Sequence, residues 1–153
     1  MCRWRTNATN YKISKKEKRF RVNQIYNIYH KKIYEIIKKN KINIIISLHS
    51  FNPYYKNKKR KIKFGILSNN DRRYSDIIIE LLNKKGYRVG DNEPYEGNLK
   101  GDTMFRHGLQ NGLLHTLIET RNDLLHSPKS IAEISNLLFQ IIKSSKQKVI
   151  KYL

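Results

Sequence analysis

Cysteine is almost absent from this chain: Cys2 is the only one in 153 residues. An internal disulfide and a thiolate metal cluster are thereby excluded, and any metal must be held by His, Asp or Glu. No apolar run approaches the roughly 18 to 20 residues of a membrane span, and Met1-Cys2-Arg3-Trp4-Arg5 lacks the apolar segment of a signal peptide. A soluble cytoplasmic protein with no membrane partner is the expectation. Also missing are a Gly-rich phosphate loop, a Gly-x-Ser-x-Gly elbow and a His-Glu-x-x-His zinc motif. None of the five histidines (His30, His49, His107, His115 and His126) forms a close ligand pair with another.

Acidic residues are scarce as well, with 12 Asp and Glu against 32 Lys and Arg and a net charge of +20. The imbalance is local: residues 1–63 hold 19 basic and 2 acidic residues, residues 64–153 hold 13 and 10. A basic half of this kind, interleaved with Tyr, can neutralise phosphates and stack on bases, so a nucleic-acid binder is one reading. The reading preferred over it is compositional drift, because Lys, Asn and Ile are abundant together and the basic runs fall on helix-surface and loop positions that solvate readily.

The apolar fraction, 39%, suffices for one buried core. Residues 1–12 show no periodicity and read as an irregular lead-in to a single α/β domain over 13–153. Ser14, with Glu17 three residues on, opens a helix to about Asn40 whose apolar positions (Phe20, Ile25, Ile28, Tyr29, Ile33, Ile36, Ile37) should pack on a sheet. Strands are expected at 42–48, 62–67, 87–90 and 113–120. Helices are expected from about Asp71 to Gly86 and from Ser127 or Pro128 nearly to the C-terminus, with a short helix or turn at 103–110. Strands alternating with helices predict a mostly parallel sheet flanked by helices.

Polar residues collect where these strands end, and in open α/β sheets ligands bind just beyond the carboxyl ends of strands. His49 follows the run Ile42 to Leu48, Asp91-Asn92-Glu93 follows the third strand, and Glu119 and Arg121 close the fourth. Residues two apart in a strand share a face, so His115, Glu119 and Arg121 are expected to point the same way. Glu119 is the candidate general base of a metal-assisted hydrolysis, the alternative being an ion pair with Arg121. Arg106-His107, after the flexible Gly101-Asp102-Thr103, could fold over a ligand, and arginine's planar fork suits a carboxylate.

Ser47-Leu48-His49-Ser50-Phe51-Asn52-Pro53, Gly65-Ile66-Leu67 with Asn70-Asp71, Gly90-Asp91-Asn92-Glu93-Pro94-Tyr95 with Gly97, Arg106-His107-Gly108 and Ile118-Glu119-Thr120-Arg121-Asn122-Asp123-Leu124 occur in that order. Together they resemble the N-formylglutamate amidohydrolase family, zinc-dependent hydrolases with a fold similar to the zinc carboxypeptidases and aspartoacylase. The segment from Asn10 to Ile33, with Tyr29-His30, resembles the helix before the first of these motifs. The resemblance implies that His49 is a zinc ligand and Glu119 the catalytic carboxylate. It further implies that Asn92, Glu93, Tyr95, Arg106, His107 and Arg121 line the substrate pocket, the arginines facing the substrate's carboxylates. The implied reaction is attack of a zinc-activated water on the N-formyl or other N-acyl group of a small N-acyl amino acid. Family members extend further at the N-terminus, where the remaining metal ligands belong to an early Asp-His or His-containing motif that Met1 to Asn10 does not supply. The chain is therefore expected to be N-terminally truncated: either a fragment of a gene split or truncated upstream, or a family member that has lost metal and activity, a further alternative being a noncatalytic interaction module completed by another chain. Its open sheet edge would invite a complementing chain or a second copy.

Overall fold

A computed structural model describes residues 12–152 of the chain. The irregular lead-in expected over 1–12, and Cys2 with it, lies outside the described residues except for Lys12. The first helical stretch is continuous from Lys15 to Asn40: helix α1 (Lys15–Arg21), a π-helical segment (Val22–Tyr26) and helix α2 (Asn27–Asn40). Ser14 caps it as expected, its hydroxyl accepting from the Glu17 amide at 3.0 Å, while the Glu17 carboxylate turns to Arg21 instead of closing a capping box. Lys41 then breaks the helix in the left-handed conformation, with φ 50°.

Strand β1 (Ile44–Phe51) follows and runs three residues past the expected end, so that His49 lies inside a strand. The basic loop after it contains a hairpin that the sequence pattern did not suggest, β2 (Tyr54–Tyr55) and β3 (Lys58–Lys59). Its turn residues, Lys56 and Asn57, both have positive φ, 46° and 61°, as a tight two-residue hairpin requires. Strand β4 (Phe64–Leu67) leads to helix α3 (Ser75–Lys84), and β5 (Val89–Asp91) follows. A π-helical turn (Met104–Gly108) and a 3₁₀ turn (Leu109–Asn111) precede strand β6 (Leu114–Arg121). The chain closes with helix α4 (Pro128–Val149), opened by a capping box between Ser127 and Ser130 and by proline in the first turn.

The main sheet has the order β1-β6-β4-β5. Two of its pairings are parallel, β1 with β6 and β4 with β5, which makes this a mostly parallel α/β sheet, while β4 meets β6 antiparallel. The core lies where α3 and α4 cover the sheet, around Phe64, Ile66, Tyr74, Ile78, Leu82 and Ile118. Tyr74 is fully buried there and satisfies its hydroxyl on Ser145 at 2.9 Å.

The first helix departs from expectation. Phe20, Ile25, Ile28, Tyr29 and Ile36, assigned to a sheet-facing stripe, are all exposed. What α2 buries is His30, and what ties it down is a row of polar tips on aromatic rings. Tyr26 Oη donates to the Gly101 carbonyl, Tyr29 Oη meets Thr103 Oγ1 at 3.0 Å, and His30 Nδ1 meets His107 Nε2 at 2.8 Å. Residues three and four apart share one side of a helix, so these positions form a single seam. The seam docks on the π-helical turn, Ile25, Ile28 and Ile36 are left on the outer face, and Ile33 and Ile37 are half-buried. Two truncations test this: Ile78→Ala, at a fully buried position, should cost about 2–5 kcal/mol in urea unfolding. Ile28→Ala, at a side chain 56% exposed, should stay within about 0.5 kcal/mol.

Candidate active site

The site is built on β6 and its two neighbours. In the parallel register of β1 and β6, His49 stands opposite Glu119, and in the antiparallel register of β4 and β6, Gly65 stands opposite it. Gly65 must be glycine here, because a Cβ would lie 2.1 Å from the Glu93 carbonyl oxygen. The turn after β5 thus presses onto the sheet next to Glu119.

Glu119 is 5% exposed, and its Oε2 has no hydrogen-bond partner among the described residues. A buried carboxylate oxygen without a donor is costly, so such an atom asks for a function. Burial pushes the Glu119 carboxyl above the usual range, and the His49 imidazole across the strand pair pulls part of that shift back. Glu119 opens into a cavity of about 290 Å³ that it lines with Ser47, His49, Tyr95, Asp102 and Leu117. The alternating positions 47 and 49 of β1 and 117 and 119 of β6 supply one wall, as the strand period dictates. No ion pair joins Glu119 to Arg121 among the described residues, so the carboxylate is available to a ligand.

Asp102 was not singled out from the sequence. Its carboxyl accepts from the Phe105 amide at 2.6 Å, opening the π-helical turn, and burial raises its pKa while that hydrogen bond and, more weakly, His115 and His49 lower it. An aspartate before a helical turn reads as a cap, and nothing in the local sequence signals that this one also faces Glu119's cavity.

The other expected site residues have definite places. Tyr95 lines the Glu119 cavity and also a neighbouring one, where Glu93 joins it. Asn92 adopts a left-handed conformation, φ 51°, and its Oδ1 accepts from the Ser68 amide at 3.0 Å and the Gly97 amide at 3.2 Å, which shapes the turn. Arg106 stacks over the Tyr26 ring at 5.2 Å, and His107 is buried against His30. Arg121 donates from Nε to Asp123 at 2.7 Å and from Nη1 to the carbonyls of Arg60 and Ile62 at 2.7 and 3.2 Å. Neither Arg106, His107 nor Arg121 lines the cavity at Glu119. His115 is buried with both ring nitrogens engaged: Nδ1 donates to the Leu113 carbonyl at 2.8 Å, which leaves Nε2 to accept from Asn69 at 3.0 Å. Gly108 packs flat on that ring, where a Cβ would fall 2.4 Å from it.

For a catalytic zinc, three protein ligands are the usual requirement. Among the described residues no three His, Cys, Asp or Glu side chains converge closely enough to hold a metal ion. His49 and Glu119 by themselves do not make up such a set, so the described residues do not fit a resident zinc.

A match to the family model of N-formylglutamate amidohydrolase spans residues 3–126, most of the chain. The chain belongs to the N-formylglutamate amidohydrolase family. In the crystal structure of an Agrobacterium tumefaciens gene product, 92% of this chain superposes with a TM-score of 0.81 at 28% identity, covering 57% of that protein. The N-formylglutamate amidohydrolase of Ralstonia eutropha JMP134 shares the fold, with a TM-score of 0.67 and 18% identity over 90% of this chain and 55% of its own. This family member thus spans little more than half the length of either structure. Among curated proteins no match is found. No helix among the described residues is long and apolar enough to cross a membrane.

The histidine pair beside the site gives a pH test. His30 is lowered to about 4, first by burial and then by the nearby Arg106 and His107, and His107 is lowered by burial and Arg106. Both favour the neutral form in the folded protein, so their contribution is complete above the unfolded histidine value of about 6.5. It is lost as pH falls from there towards about 4, where His30 takes up its proton in the folded state as well. Urea midpoints measured from pH 7 to pH 4 should therefore fall more steeply for the wild type than for His30→Gln.

Proposed function

We propose that this chain hydrolyses an N-formyl, or more broadly N-acyl, amino acid, with Glu119 as general base. The observation that carries the reading is the buried carboxylate of Glu119, its Oε2 unpartnered among the described residues, in the wall of a cavity it shares with His49, its cross-strand neighbour. A carboxylate with a raised pKa and no competing donor is suited to take a proton from water. Membership of the N-formylglutamate amidohydrolase family supports the choice of linear amide over other acyl substrates.

In the proposed sequence Glu119 removes a proton from a water in the cavity as its oxygen bonds to the formyl carbon. The tetrahedral intermediate then expels the amine. The proton held on Glu119 passes to the leaving nitrogen, the C–N bond breaks, and formate and a free amino acid such as glutamate result. Asp102 and Tyr95 border the same space and restrict how the acyl group enters. The likeness to zinc carboxypeptidases and aspartoacylase forms part of the same proposal. In it His49 would be a zinc ligand, the remaining ligands lying outside the described residues.

Formate release measured with N-formylglutamate tests the reading. Glu119→Gln should lower the rate by about 10²–10⁴-fold, the usual worth of a general base, without lowering the unfolding midpoint. Wild-type turnover should need the ionised carboxylate, so the rate should fall as pH drops through a value above the ordinary glutamate range. Unchanged turnover in Glu119→Gln would remove Glu119 from this role. Metal analysis gives a separate check: zinc retained in stoichiometric amount by His49→Ala would exclude His49 as a ligand.

A further inference from the structure

Beside the cavity at Glu119 lies a larger one, of about 560 Å³, and it is cationic. Arg60, Lys61 and Arg88 line it against the single carboxylate of Glu93, and Tyr95 forms a wall common to both cavities. Of these cations Arg60 is the one stacked on aromatic rings. Its guanidinium carbon lies 5.6 Å from the Phe51 ring centre, 5.3 Å from Tyr55 and 5.7 Å from Tyr95. Three aromatic rings contact the planar group and leave it half-buried, which strengthens an ionic contact it makes relative to a fully solvated cation.

An arginine side chain carries five N–H donors. In Arg60 one of them, on Nη1, donates to the Asn52 carbonyl at 2.7 Å, and the guanidinium has no further hydrogen bond and no ion pair among the described residues. Its backbone is pinned at both ends, the amide donating to the Pro53 carbonyl and the carbonyl accepting from Arg121, each at 2.7 Å. Arg121 therefore acts on Arg60, holding the segment that presents it. Arg106, stacked on Tyr26, lines neither cavity.

The spacing along β1 suits a ligand that bridges the two cavities. Phe51 follows His49 by two residues on the same face, a step of about 6.6 Å. The side-chain carboxylate of a glutamyl group stands further from the formyl carbon than its α-carboxylate, by two methylenes. We infer that Arg60 is the residue that selects a dicarboxylic substrate, pairing through its free N–H edge with the side-chain carboxylate while the acyl group lies at Glu119. Arg106 and Arg121 do not take this part. The inference rests on the hydrolase reading for the position of the acyl group, and it assigns a binding role that is measurable without turnover.

The test is calorimetric titration of the full chain carrying Glu119→Gln, with N-formylglutamate and with N-formylglutamine, which lacks only the side-chain charge. N-formylglutamate should bind roughly ten- to a hundredfold more tightly, the worth of a charge-assisted pair. Arg60→Gln should abolish the preference. Arg60→Lys, which keeps the charge and loses the planar fork, should restore part of it and serves also if the glutamine variant fails to fold. Equal affinity for the two ligands, no binding of either, or a preference that survives Arg60→Gln would overturn the inference. An Arg60-dependent preference in a chain whose wild type never releases formate would instead sink the hydrolase reading and leave the carboxylate site standing.

Discussion

Strand β6 is paired along both edges, parallel to β1 and antiparallel to β4, and Glu119 sits where the two registers meet. That double pairing fixes the carboxyl in depth and direction. On one side it faces His49, and on the other the missing side chain at Gly65 admits the Glu93 carbonyl, which brings the turn bearing Asn92 and Tyr95 against the sheet. Shifting β6 by one residue against its neighbours would send Glu119 to the opposite face, because side chains alternate strictly along a strand. The cavity, the raised carboxyl pKa and the access of Tyr95 to two pockets all follow from one residue's place in two ladders.

The strands and the two later helices were legible because their signals are local. Runs of Ile and Leu, the Ser127-Pro128 start and the Gly86 stop each encode an element without help from tertiary contacts. The first helix was legible as a helix and illegible as a packing surface. A sequence rich in isoleucine offers several apolar stripes of similar strength, and the one that docks here is defined by Tyr26, Tyr29 and His30 through partners more than seventy residues away. Periodicity does not report such partners.

The site divides along the same line. His49, Glu119 and Tyr95 converge on a single cavity, whereas the roles of arginines depend on where long side chains end. Arg121 lies two residues after Glu119 in sequence, yet its guanidinium is spent on two carbonyls and Asp123. Arg60 sits in a basic run that reads as solvated loop, yet three aromatic rings surround it. A cation's value is set by what desolvates it, and the rings around Arg60 come from β1, the hairpin and the turn after β5. Asp102 escaped for a related reason, since its capping role is local and its place in the cavity is not.

Strand β1 carries His49 and, among the described residues, pairs with β6 alone. Its outer edge presents backbone amides and carbonyls over eight residues, Ile44–Phe51. A strand added there would lie about 4.8 Å away, the ordinary spacing between neighbours in a sheet. It would be nearer to His49 than any element but β6. The flank of the cavity beyond that histidine is thus left, among the described residues, to whatever meets this edge of the sheet, and in water it stays a shoreline and not a wall.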